Sequence, residues 1–264
     1  MKSSFPSMKV DVEAGLATLT LTQPARGNPI DDDFTRDFKQ VFLELWDHNS
    51  LRAVLLRAEG PNFSFGGDLK KFYPVRNSLP PLVRRWTSDL HSGLSRAWHL
   101  PVPIIAEVQG WAMGGAVGVL AGCDVVVAGQ SARFGSAFSQ LGFSCDSGSS
   151  ATLTFRMGPA RARRFVLLAE ILSSEEALAA GLVDKVVPDD QLTASAKSLA
   201  ENLASGPTLA YGEIKRLFLR AGSMRLEAQL EDEALTLARV SASRDAQEGI
   251  VAQIERRKPV FKGE

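Results

Sequence analysis

The stretch Pro103-Ile104-Ile105-Ala106-Glu107-Val108-Gln109-Gly110-Trp111-Ala112-Met113-Gly114-Gly115-Ala116-Val117-Gly118 decides the fold, because it reads as a buried strand, a glycine turn and a helix start. The run after Pro103 is too short for an ordinary helix and rich in Ile and Val, which favours a strand ending at Gly110. From Gly114 the composition turns to small residues on every side, as a helix packed closely against other backbone needs. The first turn of a helix has N–H groups without an intrahelical partner. A Gly114-Gly115 pair lets a ligand reach them without meeting a Cβ. Those donors, with the positive end of the helix dipole, suit an oxygen carrying negative charge. Tight helix packing alone would also account for the small residues. The spacing is not G-x-G-x-x-G, and no Lys-Ser/Thr follows the glycines as a phosphate-binding loop requires.

A second glycine corner gives the first one a partner. Arg52 to Ala58 is another buried strand pattern, and after Glu59-Gly60-Pro61 comes Asn62-Phe63-Ser64-Phe65-Gly66-Gly67-Asp68-Leu69. Two strands thus each lead to a Gly-Gly corner, and two exposed N–H groups converging on one carbonyl oxygen make an oxyanion hole.

Phe63 to Leu69, then Gly110 to Gly118, then Cys123-Asp124-Val125-Val126 resemble the consecutive signature blocks of the crotonase family, the enoyl-CoA hydratases and isomerases. The resemblance continues through Leu172 to Pro188 and Asp245 to Gly263, nearly the whole chain. It implies an α/β fold, a crotonase-type spiral of repeated β-β-α units (residues 1–200) with a C-terminal helical trimerisation region (residues 201–264). It also implies that two N–H groups, mapping onto Gly67 and Gly115, hold the thioester oxygen of an acyl-CoA and stabilise the enolate formed from it. The same blocks make Phe65, Gly67, Asp68 and Leu69 candidates for contact with coenzyme A, which is part of the substrate rather than a resident cofactor. A homotrimer or dimer of trimers is the implied assembly.

A chain of 264 residues that is 45% hydrophobic is long enough for one large domain with a full core. Thirty basic and thirty acidic side chains cancel, so no global field argues for nucleic acid or an anionic membrane as partner. Cys123 and Cys145 are too few for a disulfide framework and lack metal-ligand spacing with the three histidines, so no metal is expected. Met1 to Met8 has no apolar core after its lysine, and no stretch approaches the roughly 18 apolar residues of a membrane span. These features lead to the expectation of a soluble cytoplasmic protein.

Leu16 to Thr22 alternates with period two, turning Ala17, Leu19 and Leu21 to the core and the threonines to the other side. After the loop Ala25 to Pro29, the carboxylates of Asp31-Asp32-Asp33 suit a helix N-terminus, with Phe34, Phe38, Val41, Phe42 and Leu45 as the apolar stripe. The resemblance makes Arg26 in that loop a contact for the nucleotide part of coenzyme A; a solvated loop arginine is the alternative. Residues 72–81 read as an irregular, mobile loop, followed by a helix over Leu82 to Leu100 that carries His91 and His99. Further on, Ala132 to Gly135 reads as a turn and Ala151 to Phe155 as helical. Ser173 to Glu176 has the capping-box form, and Leu182 to Val187 reads as a strand. Helices follow, broken at Gly206-Pro207 and Gly222, and Asp245 starts the last one as a cap with Glu248 three residues on.

Breaking a C–H bond next to a thioester needs a base as well as an oxyanion hole. The family's hydratases hold water between two glutamates, and block by block those positions are Gly118 and Phe138, neither of which transfers a proton. Weak or absent hydratase activity is therefore expected. Asp146, in an Asp-Ser-Gly context, falls where the family's isomerases of this type carry an aspartate; capping the helix that begins near Ser149 is the other role open to it. An ordinary Asp, with a pKa of ~3.9, is a weak base and must be raised by burial, for which Phe138 and Phe143 offer an apolar wall. The expected activity is a double-bond shift in an enoyl-CoA, as in fatty acid metabolism, with Gly118, Phe138, Phe143 and His91 in the substrate pocket. Alternatives are a hydrolase or dehalogenase using Asp146 as nucleophile with His91 activating water, a C–C bond hydrolase, or a catalytically silent CoA-thioester-binding protein.

Overall fold

A computed structural model describes residues 3–264, so the first two residues of the Met1 to Met8 stretch lie outside the description. The antiparallel pair β1 (Met8–Glu13) and β2 (Leu16–Leu21) opens a six-stranded sheet, which β2 continues by pairing in parallel with β3 (Ala53–Ala58). Helix α1 (Asp32–Trp46) connects them, and Asp31 caps it by accepting the N–H groups of Asp33 and Phe34. Beyond β3 come α2 (Leu69–Phe72), a 3-10 segment over Tyr73–Ser78 and the long α3 (Leu79–His99). The expected loop over residues 72–81 is therefore helical. Pro80 and Pro81 sit in the first turn of α3, where a missing N–H costs nothing.

The deciding stretch gives β4 (Ile104–Val108), a short β5 (Trp111–Met113) and α4 (Gly115–Ala121). The next turn of chain repeats the arrangement with β6 (Val125–Gly129) and β7 (Arg133–Gly135), then α5 (Ser149–Met157) and α6 (Pro159–Leu167). After β8 (Ile171–Ser173), α7 (Ser174–Ala179) starts on the capping box of Ser173 and Glu176, and β9 (Lys185–Val187) follows. The large sheet is ordered β1-β2-β3-β4-β6-β9, and the later turns of chain add short strands to a second sheet, ordered β5-β7-β8. The Ala132 to Gly135 segment is thus a strand rather than a turn, held by pairing with Trp111–Met113 that no local signal announces.

Both faces of the large sheet are covered, which is why its strands read as apolar runs. Ala17, Leu19, Leu21, Val54 and Leu56 join the side chains of α1, α3 and α4 in the larger core, while Leu16, Ala53, Leu55, Ile105 and Val127 meet α8 (Leu192–Ala204) on the other face. The chain ends in α9 (Thr208–Ala221), α10 (Leu226–Ser241) and α11 (Arg244–Glu255). Ser243, not Asp245, caps α11 through a bond from the N–H of Ala246. The Asp245 carboxylate is buried and accepts the N–H groups of Lys262 and Gly263, tying the C-terminal segment back.

Candidate active site

The two glycine corners are brought together by backbone pairing between the loop after β3 and β5. The N–H of Ser64 donates to the Trp111 carbonyl at 3.0 Å, and the N–H of Met113 donates to the Ser64 carbonyl at 2.9 Å. Ser64 is buried, and its hydroxyl donates to the Asn28 carbonyl at 2.7 Å while accepting the N–H of Gly66 at 3.0 Å. Gly66 is glycine by necessity: its φ is 77°, and a Cβ there would lie 2.6 Å from the Met113 carbonyl oxygen. Across from it, the N–H of Gly114 is used by the Gly135 carbonyl at 2.8 Å. The next N–H in each corner, that of Gly67 and that of Gly115, donates to no group among the described residues.

Asp146 reaches this pair from the turn that precedes α5. Ser147 and Gly148 both have left-handed backbone, with φ of 54° and 70°. Such a conformation in a serine stores about 1 to 3 kcal/mol and persists only where the surroundings impose it. The indole of Trp98 packs directly against the next residue, Gly148. A Cβ on Gly148 would lie 2.2 Å from the Trp98 ring, and one on Gly122, at the far end of α4, would lie 2.0 Å from its Nε1. The turn is therefore wedged against α3 and α4 together.

This geometry bears on the capping role. No side chain caps α5, whose N-cap is Gly148, and the bond from Asp146 to the first residue of the helix is made by its carbonyl, which accepts the Ser149 N–H at 2.9 Å. Its carboxylate accepts the Ser147 hydroxyl at 2.9 Å, and its Oδ1 lies 3.3 Å from where a Cβ on Gly115 would stand. Burial pushes the Asp146 carboxyl above its ordinary range, against the Ser147 hydrogen bond and the charge of His91, which pull it down.

A cleft of about 1080 Å³ opens over these groups. Gly67, Gly115, Asp146, His91, Phe138, Phe143, Arg26, Phe65, Asp68 and Leu69 all line it. Gly118 does not. It is buried one turn along α4, where a Cβ would lie 2.4 Å from the Ser149 hydroxyl and 2.7 Å from the Ser147 carbonyl oxygen, so the start of α5 fills the space that sequence reasoning gave to substrate. His99 is exposed, with Nδ1 2.7 Å from the Ser95 carbonyl, and lies away from the cleft.

Arg26 is exposed but engaged. Its guanidinium bonds Asp31 at 2.7 Å and Asp68 at 2.6 Å, and Asp31 also takes Lys71 at 3.1 Å. Burial works to raise the Asp31 carboxyl, but these cations hold it below the ordinary range. Sequence reasoning missed Phe72, Trp86 and Leu90 as lining residues. The apolar spacing of α3 was the one signal for Trp86 and Leu90, and nothing local marked Phe72. Among the described residues no three His, Cys, Asp or Glu side chains are grouped so as to hold a metal, and no helix is long and apolar enough to cross a membrane.

The sequence profile of the family described as Enoyl-CoA hydratase/isomerase matches residues 11–264. The chain is 34% identical over 256 residues to the 1,2-epoxyphenylacetyl-CoA isomerase of Escherichia coli (strain K12), covering 96% of this chain and 97% of that one. It is 31% identical over 260 residues to a "Probable enoyl-CoA hydratase" of Rhodobacter capsulatus, covering 98% and 99%. Among solved structures, an enoyl-CoA hydratase from Polaromonas sp. JS666 superposes with a TM-score of 0.90 at 27% identity, over 97% of this chain and 99% of that one.

Proposed function

The chain belongs to the enoyl-CoA hydratase/isomerase family, and from that premise we propose that it shifts a double bond in an enoyl-CoA, with Asp146 as the base. The observation that carries this reading is the Asp146 carboxylate standing beside Gly115, whose N–H has no acceptor among the described residues, in a chain with no glutamate at positions 118 and 138. The thioester oxygen accepts the N–H groups of Gly67 and Gly115. Each such donor is typically worth about 3 to 4 kcal/mol once charge develops on that oxygen. Asp146 takes a proton from the carbon next to the thioester of a 3-enoyl-CoA, and the electron pair spreads over the dienolate. The same carboxyl then returns the proton two carbons further along, leaving the double bond conjugated with the thioester. A carboxylate that takes up a proton and gives it back must be readily protonated, which the upward shift of Asp146 favours.

Gain of conjugated absorbance from a 3-enoyl-CoA tests the proposal; failure of all chain lengths and branching patterns to react would overturn it. The family is one of enzymes, and the relatives carry both hydratase and isomerase names. Hydration by this chain is expected to be slow, because neither Gly118 nor Phe138 positions a water.

A second reading rests on His91, which lines the same cleft and acts electrostatically on Asp146. There Asp146 displaces a leaving group such as halide from an acyl-CoA carbon to form an aspartyl ester, and His91 takes a proton from the water that hydrolyses that ester, freeing the hydroxyacyl-CoA and the Asp146 carboxylate. Acyl-derived mass on the peptide containing Asp146 after rapid quench would select it. In either reading the helical region over residues 201–264 meets other copies of the chain in a trimer or dimer of trimers. Its uncovered apolar side chains, Phe218 at 78% exposure and Ile254 at 77% among them, support that assembly.

A further inference from the structure

Building on the acyl-CoA reading, we propose that the acyl group carries an aromatic ring a few carbon atoms from the thioester, seated against Phe72, Trp86 and Phe143. Phe72 joins this wall to the oxyanion corner, since a Cβ on Gly67 would lie 3.6 Å from the Phe72 Cε2. A thioester oxygen held at Gly67 therefore places the Phe72 ring beside the first carbons of the acyl chain. The Phe72 centroid stands 5.1 Å from that of Trp86 at an interplanar angle of 32°, and 6.1 Å from that of Phe143 at 68°. All three rings line the cleft. Both separations fall in the range, roughly 4.5 to 7 Å, where offset and edge-to-face ring pairs attract.

The wall is set before any ligand arrives. Trp86 is only 5% exposed, and its Nε1–H donates to Asp32. Asp32 in turn takes Arg85 at 2.9 Å and Lys71 at 3.3 Å, so the plane of the indole is fixed from outside the cleft. Phe72 packs on that fixed plane. Phe143, at 40% exposure, leaves ring surface to solvent at the open side of the cluster, where an incoming ring would cover it. An alkyl chain would meet these faces through buried area alone. An aryl group adds the quadrupole attraction between rings, a preference of roughly threefold to tenfold for one or two ring contacts.

The test is binding, which needs no turnover. Dissociation constants are measured by titration calorimetry for 3-phenylpropanoyl-CoA, 3-cyclohexylpropanoyl-CoA and nonanoyl-CoA, whose acyl groups have equal carbon counts, and for coenzyme A itself. Hydrophobicity alone ranks the phenyl compound last. The wall predicts that it binds roughly threefold or more tighter than both others, that Phe72→Leu and Phe143→Leu each shrink the preference, and that coenzyme A binds all variants alike. Phe143 is partly exposed, so Phe143→Leu remains informative if Phe72→Leu fails to fold. A cyclohexyl or nonanoyl compound that binds as well as the phenyl one, or a preference that survives in the folded variants, overturns the inference alone. Failure of every thioester to bind overturns the acyl-CoA premise. A ring preference without any double-bond shift leaves this inference standing and removes the isomerase reading.

Discussion

The Oδ1 of Asp146 lies 3.3 Å from the point where a Cβ on Gly115 would project, and the Ser147 hydroxyl lies 2.6 Å from the same point. The space above Gly115 is thus already taken by the carboxylate and by the hydroxyl that orients it. Gly115→Ala should push both aside. A displacement of about 1 Å from the reacting atoms can cost ~100-fold in rate, so turnover should fall by about that much. A folded Gly115→Ala variant with undiminished turnover would show that the carboxylate's position there is irrelevant to the reaction.

The upward shift of Asp146 has a sign that can be checked by unfolding. The folded protein holds this proton to higher pH than the unfolded chain, so the group lowers stability as pH rises from the ordinary carboxylate range through its folded value. Asp146→Asn removes that penalty. The variant should match the wild type below the ordinary carboxylate range and be at least as stable at neutral pH. Chemical denaturation across pH measures it; an Asn variant less stable at neutral pH would mean that the ionised carboxylate stabilises the fold.

A glutamate cannot be restored at position 118. A Cβ there would meet the Ser149 hydroxyl at 2.4 Å and the Ser147 carbonyl at 2.7 Å, so even Gly118→Ala should cost about 1 to 3 kcal/mol through overpacking. Gly118→Glu should fold poorly and hydrate a 2-enoyl-CoA no faster than the wild type. Calorimetry and loss of enoyl absorbance check the two halves.

Trp98 packs against Gly148 and Gly122, so it is expected to position Asp146 through the turn that carries it. Trp98→Leu should lower kcat by roughly tenfold or more, leave KM little changed, and move the acid limb of the pH–rate profile toward the ordinary carboxylate range as water reaches Asp146. Trp98→Phe should recover much of both. Equal losses in kcat and stability, with an unmoved acid limb, would reduce Trp98 to a packing role.

Some of these features are written in the local sequence and others are not. Gly66-Gly67 and Gly114-Gly115 each follow an apolar strand, and that local pattern alone marks a corner with exposed N–H groups. The capping residues Asp31 and Ser173 were legible for the same reason, because a cap is satisfied within a few residues. Pairings made across the fold were not. Arg26 meets Asp68 from 42 residues away, and only its shorter-range pairing with Asp31 lay within reach of a local reading. Strand β7 exists because β5 lies beside it, and Gly118 is shut out of the cleft by serines about 30 positions later in the chain. The competition between Asp245 and Ser243 for the α11 cap was settled by a demand from the C-terminal segment, whose Lys262 and Gly263 N–H groups take the Asp245 carboxylate.

The central claim is that Asp146 moves a proton to and from the carbon beside the thioester, and isotope exchange in heavy water follows that step directly. Wild-type protein is mixed with a 3-enoyl-CoA it binds, and deuterium entering the α and γ carbons is followed by NMR alongside the gain of conjugated absorbance. Asp146→Asn is run at matched occupancy. Exchange and isomerisation are expected from the wild type, with both lost by roughly a thousandfold or more in a folded Asn variant that still binds the thioester, in keeping with the ~100- to 10,000-fold worth of a general base. Exchange at the same rate in wild type and variant would contradict the claim.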